Sequence, residues 1–163
     1  MLYYIKGGNY MTHEEKLQRI SAAIASEWLS YYSYWYGSVV MIGPMYEAMS
    51  EHFNEHAEQE KKHADKLAKR LYELGGLPVF DIGDLSSISS CKYPEYVTDN
   101  EHVIILLKQQ RIAEACAVAN YEAFLKDLGD DDPVTADLLT EILETEYEHL
   151  TDMKRAIASI ELT

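Results

Sequence analysis

The chain has 163 residues, with 28 Asp and Glu against 14 Lys and Arg for a formal net charge of −14, a length that suits one domain with a full core and is too short for two. That acidic balance argues against duplex DNA as a direct partner, since binding there rests on neutralising phosphates with Lys and Arg, and the first sixteen residues offer only Lys6 and Lys16. No basic stretch followed by an apolar core and a cleavage site opens the chain, and the two Cys form no C-x-x-C motif, so a reducing compartment, the cytoplasm by default, is expected.

Residues 1 to 11 are aromatic and Gly-containing with no helical period; Met11 is an alternative start, and no function is assigned to them. Thr12 with Glu15 three residues on forms a capping box, which opens a helix predicted over about 12–42 with Leu17, Ile20, Ile24, Glu27, Tyr31 and Tyr34 inward. Gly43-Pro44 breaks it. Nineteen residues between Glu27 and Glu47 carry no charge, long enough to span a bilayer, but their Ser, Tyr, Gly and Pro content is poor for a hydrocarbon core. A helix covered on more than one side, by its own bundle and by another subunit, explains them better.

The second helix is predicted over about 44–74, with Pro44 at its first position and Phe53, His56, Glu60, His63, Leu67 and Leu71 inward. Gly75-Gly76 ends it. A crossover of about twenty residues, rich in Ser, Gly and Pro and containing Cys91, follows; a loop of that length fits a bundle whose second and third helices run parallel. Thr98 and Glu101 form a second capping box for a third helix over about 98–128, with Leu107, Arg111, Glu114, Val118, Tyr121 and Leu125 inward. Gly129 stops it. Asp132 and Pro133 supply the N-cap and first position of a fourth helix, about 132–160, carrying Leu139, Ile142, Glu146, His149, Met153 and Ile157.

Within this pattern the second helix carries Glu60-Lys61-Lys62-His63 and the fourth repeats it as Glu146-Tyr147-Glu148-His149. Residues i and i+3 share a helix face, so each Glu-x-x-His offers a carboxylate and an imidazole to one point. A lone Glu precedes each copy, Glu27 by 33 residues and Glu114 by 32, and only two of the six His have a Glu three residues before them. All six residues stand where Leu or Ile would otherwise fill the apolar stripe. Burying one unpaired carboxylate costs several kcal/mol or more, so four facing one another demand compensating charge. Two divalent ions provide it, and the alternative of paired structural carboxylates has only Arg111 to call on. Hard oxygens with one imidazole per ion suit Fe(II) or Mn(II), and Zn can enter the same place. Tyr34 and Tyr121, each seven residues after its Glu, are placed either to hydrogen-bond the carboxylates or to pack the core. His52 and His56, one turn apart, read either as an auxiliary metal or entry site or as packing beside the ligands with His52 in solvent. His13 and His102 join no constellation.

One Glu from each of two helices with a Glu-x-x-His from each of the other two is the ligand pattern of ferritin-like di-iron bundles, and the chain resembles that superfamily over residues 12 to 160. The resemblance implies an all-α four-helix bundle, one domain over 1–163, holding two Fe per subunit on Glu27, Glu60, His63, Glu114, Glu146 and His149. The 33-residue spacing is similar to bacterioferritin, but Lys61 stands where bacterioferritin has its haem-ligating Met, so haem is not expected. Fourteen residues after His149 are too few for bacterioferritin's fifth helix, and none is expected. A bacterioferritin-type site, a lengthened crossover and Cys91 and Cys116 in crossover and third helix are similar to the Dps-like proteins called thioferritins. That resemblance implies a shell of twelve subunits oxidising Fe(II) with hydrogen peroxide or O2 and storing ferric mineral, with no membrane partner, and a redox pair of Cys91 and Cys116 beside the di-iron site. The residues themselves say only that Cys116 points about 200° of helical rotation away from Glu114, and two inert buried thiols are the alternative. Competing readings are a non-storage di-metal oxidase or rubrerythrin-like peroxidase, the latter lacking its C-x-x-C pair here, and an assembly protein with structural Zn.

Overall fold

A computed structural model describes residues 11–93 and 102–162. Four long α-helices dominate it: α1 (His13–Val40), α2 (Tyr46–Glu73), α4 (Val103–Leu128) and α5 (Pro133–Glu161), with a 3-10 turn (Ile82–Asp84) and a one-turn helix α3 (Leu85–Ile88) in the crossover. The expectation of four helices and no fifth is therefore corrected: the described residues hold five α-helices, the short extra one before α4, and Asp81 starts its 3-10 lead-in by accepting from Gly83 N at 2.8 Å.

The starts and stops follow local chemistry. Thr12 Oγ1 accepts from Glu15 N while Glu15 Oε2 accepts from Thr12 N at 2.8 Å, a reciprocal capping box. At the end of α2, Gly75 N bonds Tyr72 O at 3.0 Å and Gly76 N bonds Leu71 O at 2.9 Å, a Schellman closure that needs the positive φ of 87° at Gly75. Two expected starts move. Pro44 is not the first residue of α2: Gly43 to Tyr46 forms a turn, Met45 takes φ 60°, and the helix begins at Tyr46. The third long helix begins at Val103 rather than near residue 98, because His102 is extended, bridges to Ile42, and caps the helix by accepting from Ile104 N. The proposed capping box of Thr98 with Glu101 lies outside the described residues, as do residues 1–10. At α5, Asp132 accepts from Thr135 N at 3.0 Å and Pro133 occupies the first turn, as the sequence predicts.

Asp132 also ties three helices together. Its side chain, 9% exposed, meets Lys16 Nζ at 3.2 Å and Arg70 Nη2 at 2.9 Å. Burial pushes its pKa up, but hydrogen bonds from Thr135, Lys16 and Arg70 outweigh that and hold it well below the usual range.

The core has two apolar layers. One contains Ile20, Ile24, Leu67, Leu71, Phe124 and Ile142; the other contains Met41, Phe53, Val103, Leu107, Met153 and Ile157. Along α1 and α5 the first layer comes first, and along α2 and α4 the second does, so α2 runs parallel to α4, as the long crossover requires. On every long helix the residues between the two layers are the candidate ligands. Chain order thus places an ionisable slab across the middle of the bundle, sealed above and below by hydrocarbon. Arg111, read as inward, is exposed, and Gln110 takes that place, donating from Nε2 to Ser33 Oγ at 2.6 Å. Among the described residues no helix is long and apolar enough to cross a membrane, and the uncharged stretch after Glu27 is broken by the turn between α1 and α2. Its outer face leaves Tyr32, Trp35 and Val39 uncovered in the single chain.

Candidate metal centre

Glu27 comes from α1, Glu60 and His63 from α2, Glu114 from α4, and Glu146 and His149 from α5. None of the six is more than 6% exposed. Their donor atoms form two groups, Glu27 with Glu60, His63 and Glu146, and Glu114 with Glu60, Glu146 and His149, each with ligand atoms all within 4.8 Å of one another. Glu60 and Glu146 belong to both. His63 Nδ1 lies 3.1 Å from Glu27 Oε2, 3.0 Å from Glu146 Oε1 and 3.7 Å from Glu60 Oε2. His149 Nδ1 lies 2.9 Å from Glu60 Oε1, 3.8 Å from Glu114 Oε2 and 4.0 Å from Glu146 Oε2. Each shared carboxylate therefore turns one oxygen to each imidazole. Two positions result, each with a private Glu, a private His and half of two bridging groups.

His63 Nδ1 hydrogen-bonds Glu27 Oε2, but closeness elsewhere in the cluster is not bonding. Glu60 Oε1, Glu146 Oε1 and His149 Nδ1 have no hydrogen-bond partner, although the first and last are 2.9 Å apart. The reason lies on the far side of the ring, where His149 Nε2 donates to Gln59 Oε1 at 2.7 Å. With its proton assigned there, Nδ1 is a bare lone pair facing a carboxylate oxygen, the tautomer a metal ligand needs. Gln59 was not singled out by the sequence, because nothing about a polar residue next to Glu60 distinguishes it.

Both imidazoles lie against the carboxylates, but only His63 pairs with them as a cation. Burial raises Glu60, Glu114 and Glu146, each pushed further by a neighbouring carboxylate, and Glu146 reaches about 8. Burial also works on Glu27, but hydrogen bonds with His63 and Glu60 win and lower it. For His63 burial pulls down, and Glu146, Glu27 and Glu60 together lift it to about 12. His149 is lowered, mainly by burial. A cluster holding protons on several acids and an imidazole at once is short of positive charge at its centre. Two divalent cations fit that donor set: four carboxylates, two imidazoles and orphaned lone pairs aimed inward.

The two tyrosines cross over. Tyr34, on α1 after Glu27, donates to Glu114 Oε1, and Tyr121, on α4 after Glu114, donates to Glu27 Oε1. Each half of the chain thus orients the other half's private carboxylate. His56 is buried and stacks on His149 with ring centroids 4.0 Å apart. Burial, then the His149 and His52 charges, lower its pKa to about 2, so it stays neutral. Asp152, one turn after His149, approaches both His52 and His56; its i+3 spacing was a legible signal that the sequence reading passed over.

Cys91 and Cys116 form a disulfide with Cα atoms 5.9 Å apart, tying the crossover to α4 two residues after Glu114. The pairing removes the cysteine count as an argument for a reducing compartment. Asn120 Nδ2 braces it, bonding Cys116 O at 3.0 Å. Below the disulfide a cavity of about 80 Å³, walled by small side chains including Ala23, Ser26, Ala113 and Ala117, reaches Glu27 and Tyr121.

A four-helix bundle with one long crossover and a buried slab of two Glu and two Glu-x-x-His pairs defines the ferritin-like class of protein. Residues 17–163 match the ferritin-like domain, and the chain belongs to that family. It is 32% identical to the DNA protection during starvation protein of Pyrococcus furiosus over 136 residues, 83% of this chain and 73% of that one. Its fold matches the dodecameric thioferritin of Bacteroides fragilis, a bacterioferritin-related protein, with TM-score 0.89 and 32% identity, covering 93% of this chain and 89% of that one. Dps from Thermosynechococcus elongatus shares the fold at TM-score 0.82 and 20% identity, over 88% of this chain and 90% of that one.

Proposed function

We propose that the protein is a ferroxidase and iron store: it takes up two Fe(II) per subunit at the paired Glu and His positions, oxidises them with hydrogen peroxide or O2, and keeps the ferric product inside a homo-oligomeric shell. The observation that carries this reading is the sharing of Glu60 and Glu146, each presenting one oxygen to either imidazole, so that two ions are held as a pair. A pair matters because peroxide accepts two electrons. Two Fe(II), one H2O2 and two protons give two Fe(III) and two H2O, with no odd electron left to make hydroxyl radical.

In this reading Glu27 and His63 hold one ion and Glu114 and His149 the other, with six protein ligands leaving positions open for the oxidant. Tyr34 and Tyr121 fix the private carboxylates, and Gln59 keeps His149 Nδ1 deprotonated. The cavity under the disulfide is wide enough for several water-sized molecules and supports a route for the oxidant to Glu27. The Bacteroides fragilis relative, described as dodecameric, supports a twelve-subunit shell, and the uncovered Tyr32, Trp35 and Val39 supply apolar surface for subunit contact. Protection of DNA, for which the Pyrococcus furiosus relative is named, would here come from removing Fe(II) and peroxide, since a chain of net charge −14 is poorly suited to binding phosphates.

The test is anaerobic loading with two Fe(II) per chain, then peroxide, followed by stopped-flow absorbance of ferric product and by particle mass. Wild type oxidises rapidly and runs as a large shell; Glu60→Ala and His63→Ala keep the shell and lose rapid oxidation. Oxidation at the wild-type rate in Glu60→Ala contradicts the assignment, and a stable monomer contradicts the storage function.

A further inference from the structure

A third set of donor atoms converges outside the paired positions. His52 and His56 lie one turn apart on α2, and Asp152 reaches them from α5; ligand atoms of the three fall within 4.8 Å of one another. We propose that His52, His56 and Asp152 form a separate site for one borderline divalent cation, of the Zn(II), Co(II) or Fe(II) class, standing between solvent and the His149 side of the bundle centre.

The distances favour a shared ion over direct bonding. Asp152 Oδ2 is 3.6 Å from His52 Nε2 and 3.8 Å from His56 Nε2, too long for hydrogen bonds, which close at roughly 2.7–3.2 Å. Donors about 2.0–2.1 Å from a tetrahedral ion stand roughly 3.3 Å from one another. The two edges that Asp152 makes are thus a few tenths of an ångström from those of a coordination triangle, and the third lies within 4.8 Å. His56 gives the second, independent sign. Its side chain is 4% exposed, Nδ1 is buried with no hydrogen-bond partner, and Nε2 has only the distant Asp152 before it among the described residues. Nε2, which faces the Asp152 carboxylate without a hydrogen bond, offers its lone pair to an ion.

Access and selectivity follow from the same residues. The side chains of His52 and Asp152 are 28% and 38% exposed, so an ion can reach the site from water. Two imidazoles and one carboxylate on three of the coordination positions leave the rest for water, a donor set that suits Fe(II), Co(II) and Zn(II) and disfavours Ca(II) and Mg(II). Glu55 Oε2, 3.8 Å from His52 Nδ1, is placed to orient the outer ring. The site shares no ligand with the paired centre, so it stands whether or not the di-iron reading does, and His56 links the two, stacked on His149.

The experiment is Co(II) titration of the chelator-treated full-length protein under anaerobic conditions, reading bound Co(II) per chain by equilibrium dialysis and its visible d–d absorbance. Wild type should bind three. His52→Ala and Asp152→Ala, both at partly exposed positions, should bind two, with at least a ten-fold weaker third event, roughly the loss that even supporting residues cause at metal sites. A Glu60→Leu variant should keep one, with the spectrum that the other two variants lack. Undiminished third binding in either surface variant overturns the proposal, as does a wild-type protein that binds two ions and loses both with Glu60→Leu. A wild type that binds a single ion, lost with His52→Ala and kept in Glu60→Leu, supports the site and refutes the paired centre instead.

Discussion

Replacing Glu60 by Leu should move stability in opposite directions with and without metal. Glu60 is 1% exposed, with Oε1 unbonded and its proton affinity raised by burial and by Glu27 and Glu114. Removing it does not strand His63, which keeps Glu27 at 3.1 Å and Glu146 at 3.0 Å. An apolar side chain of similar volume in place of a buried ionic group is commonly neutral or stabilising by about 1–4 kcal/mol. At about 2–4 °C per kcal/mol for a chain of this size, the metal-free variant should melt several degrees above metal-free wild type. Metal reverses the order. At a free ion concentration of about 100 Kd each site adds about 2.7 kcal/mol, so a bridging ligand common to two sites controls about 5 kcal/mol of metal-induced stability. Calorimetry of chelator-treated protein, then with Zn(II), reads both arms. Were Glu60 a structural ion-pair partner, its loss would cost about 3–5 kcal/mol without metal; a metal-free Tm more than about 4 °C below wild type, or an undiminished Zn(II) shift, refutes the reasoning.

Tyr121→Phe and Tyr34→Phe each free one private carboxylate, of Glu27 and Glu114 respectively, and should weaken metal binding about 10–100-fold with the fold intact, read by competition with a chromophoric chelator. Asp132→Ala strips the α5 N-cap and leaves Lys16 and Arg70 without their anion, so denaturant unfolding should show a loss of about 3–5 kcal/mol. Cys91→Ser opens a 25-residue separation closed by the disulfide and should cost about 3.5 kcal/mol by loop entropy, matched by wild type in reductant. In metal-free protein Glu146, lifted to about 8, and His63, lifted to about 12, hold protons in the folded state that the unfolded chain has released above pH 6.5. Stability should therefore fall as pH rises from 6.5 to 8, by about 1.4 kcal/mol per unit for each proton, and saturating Zn(II), which displaces those protons, should flatten the slope in pH-resolved melts.

The six candidate positions were legible as a cluster because a carboxylate in an otherwise apolar stripe contradicts its surroundings, and the contradiction recurs with nearly the same spacing. Helix ends were legible where one side chain or glycine decides them, at Thr12, Gly75 and Asp132, and illegible where a distant segment does. The start of α4 depends on His102 meeting Ile42, sixty residues away. Arg111 was misplaced because three and four residues from Leu107 both land near the stripe; the structure chooses Gln110, whose neutral amide can bond Ser33 while the guanidinium stays in water. The pairing of Lys16 with Asp132 joins residues 116 apart and left no local pattern to read.

The crossed tyrosines bear on how the centre forms. The hairpin α1–α2 carries Glu27, Glu60 and His63 but needs Glu146 and Tyr121 from α4–α5; that hairpin carries Glu114, Glu146 and His149 but needs Glu60, Gln59 and Tyr34 in return. Neither hairpin can hold an ion with the full donor set by itself. Every ion bound therefore favours the docked arrangement of the two, and the electrostatic cost of the empty slab falls on that same interface. Without metal the apolar layers on either side must hold the hairpins together, and the six candidate ligands are confined to one narrow belt between Ile24 and Leu67 on one side and Phe53 and Leu107 on the other.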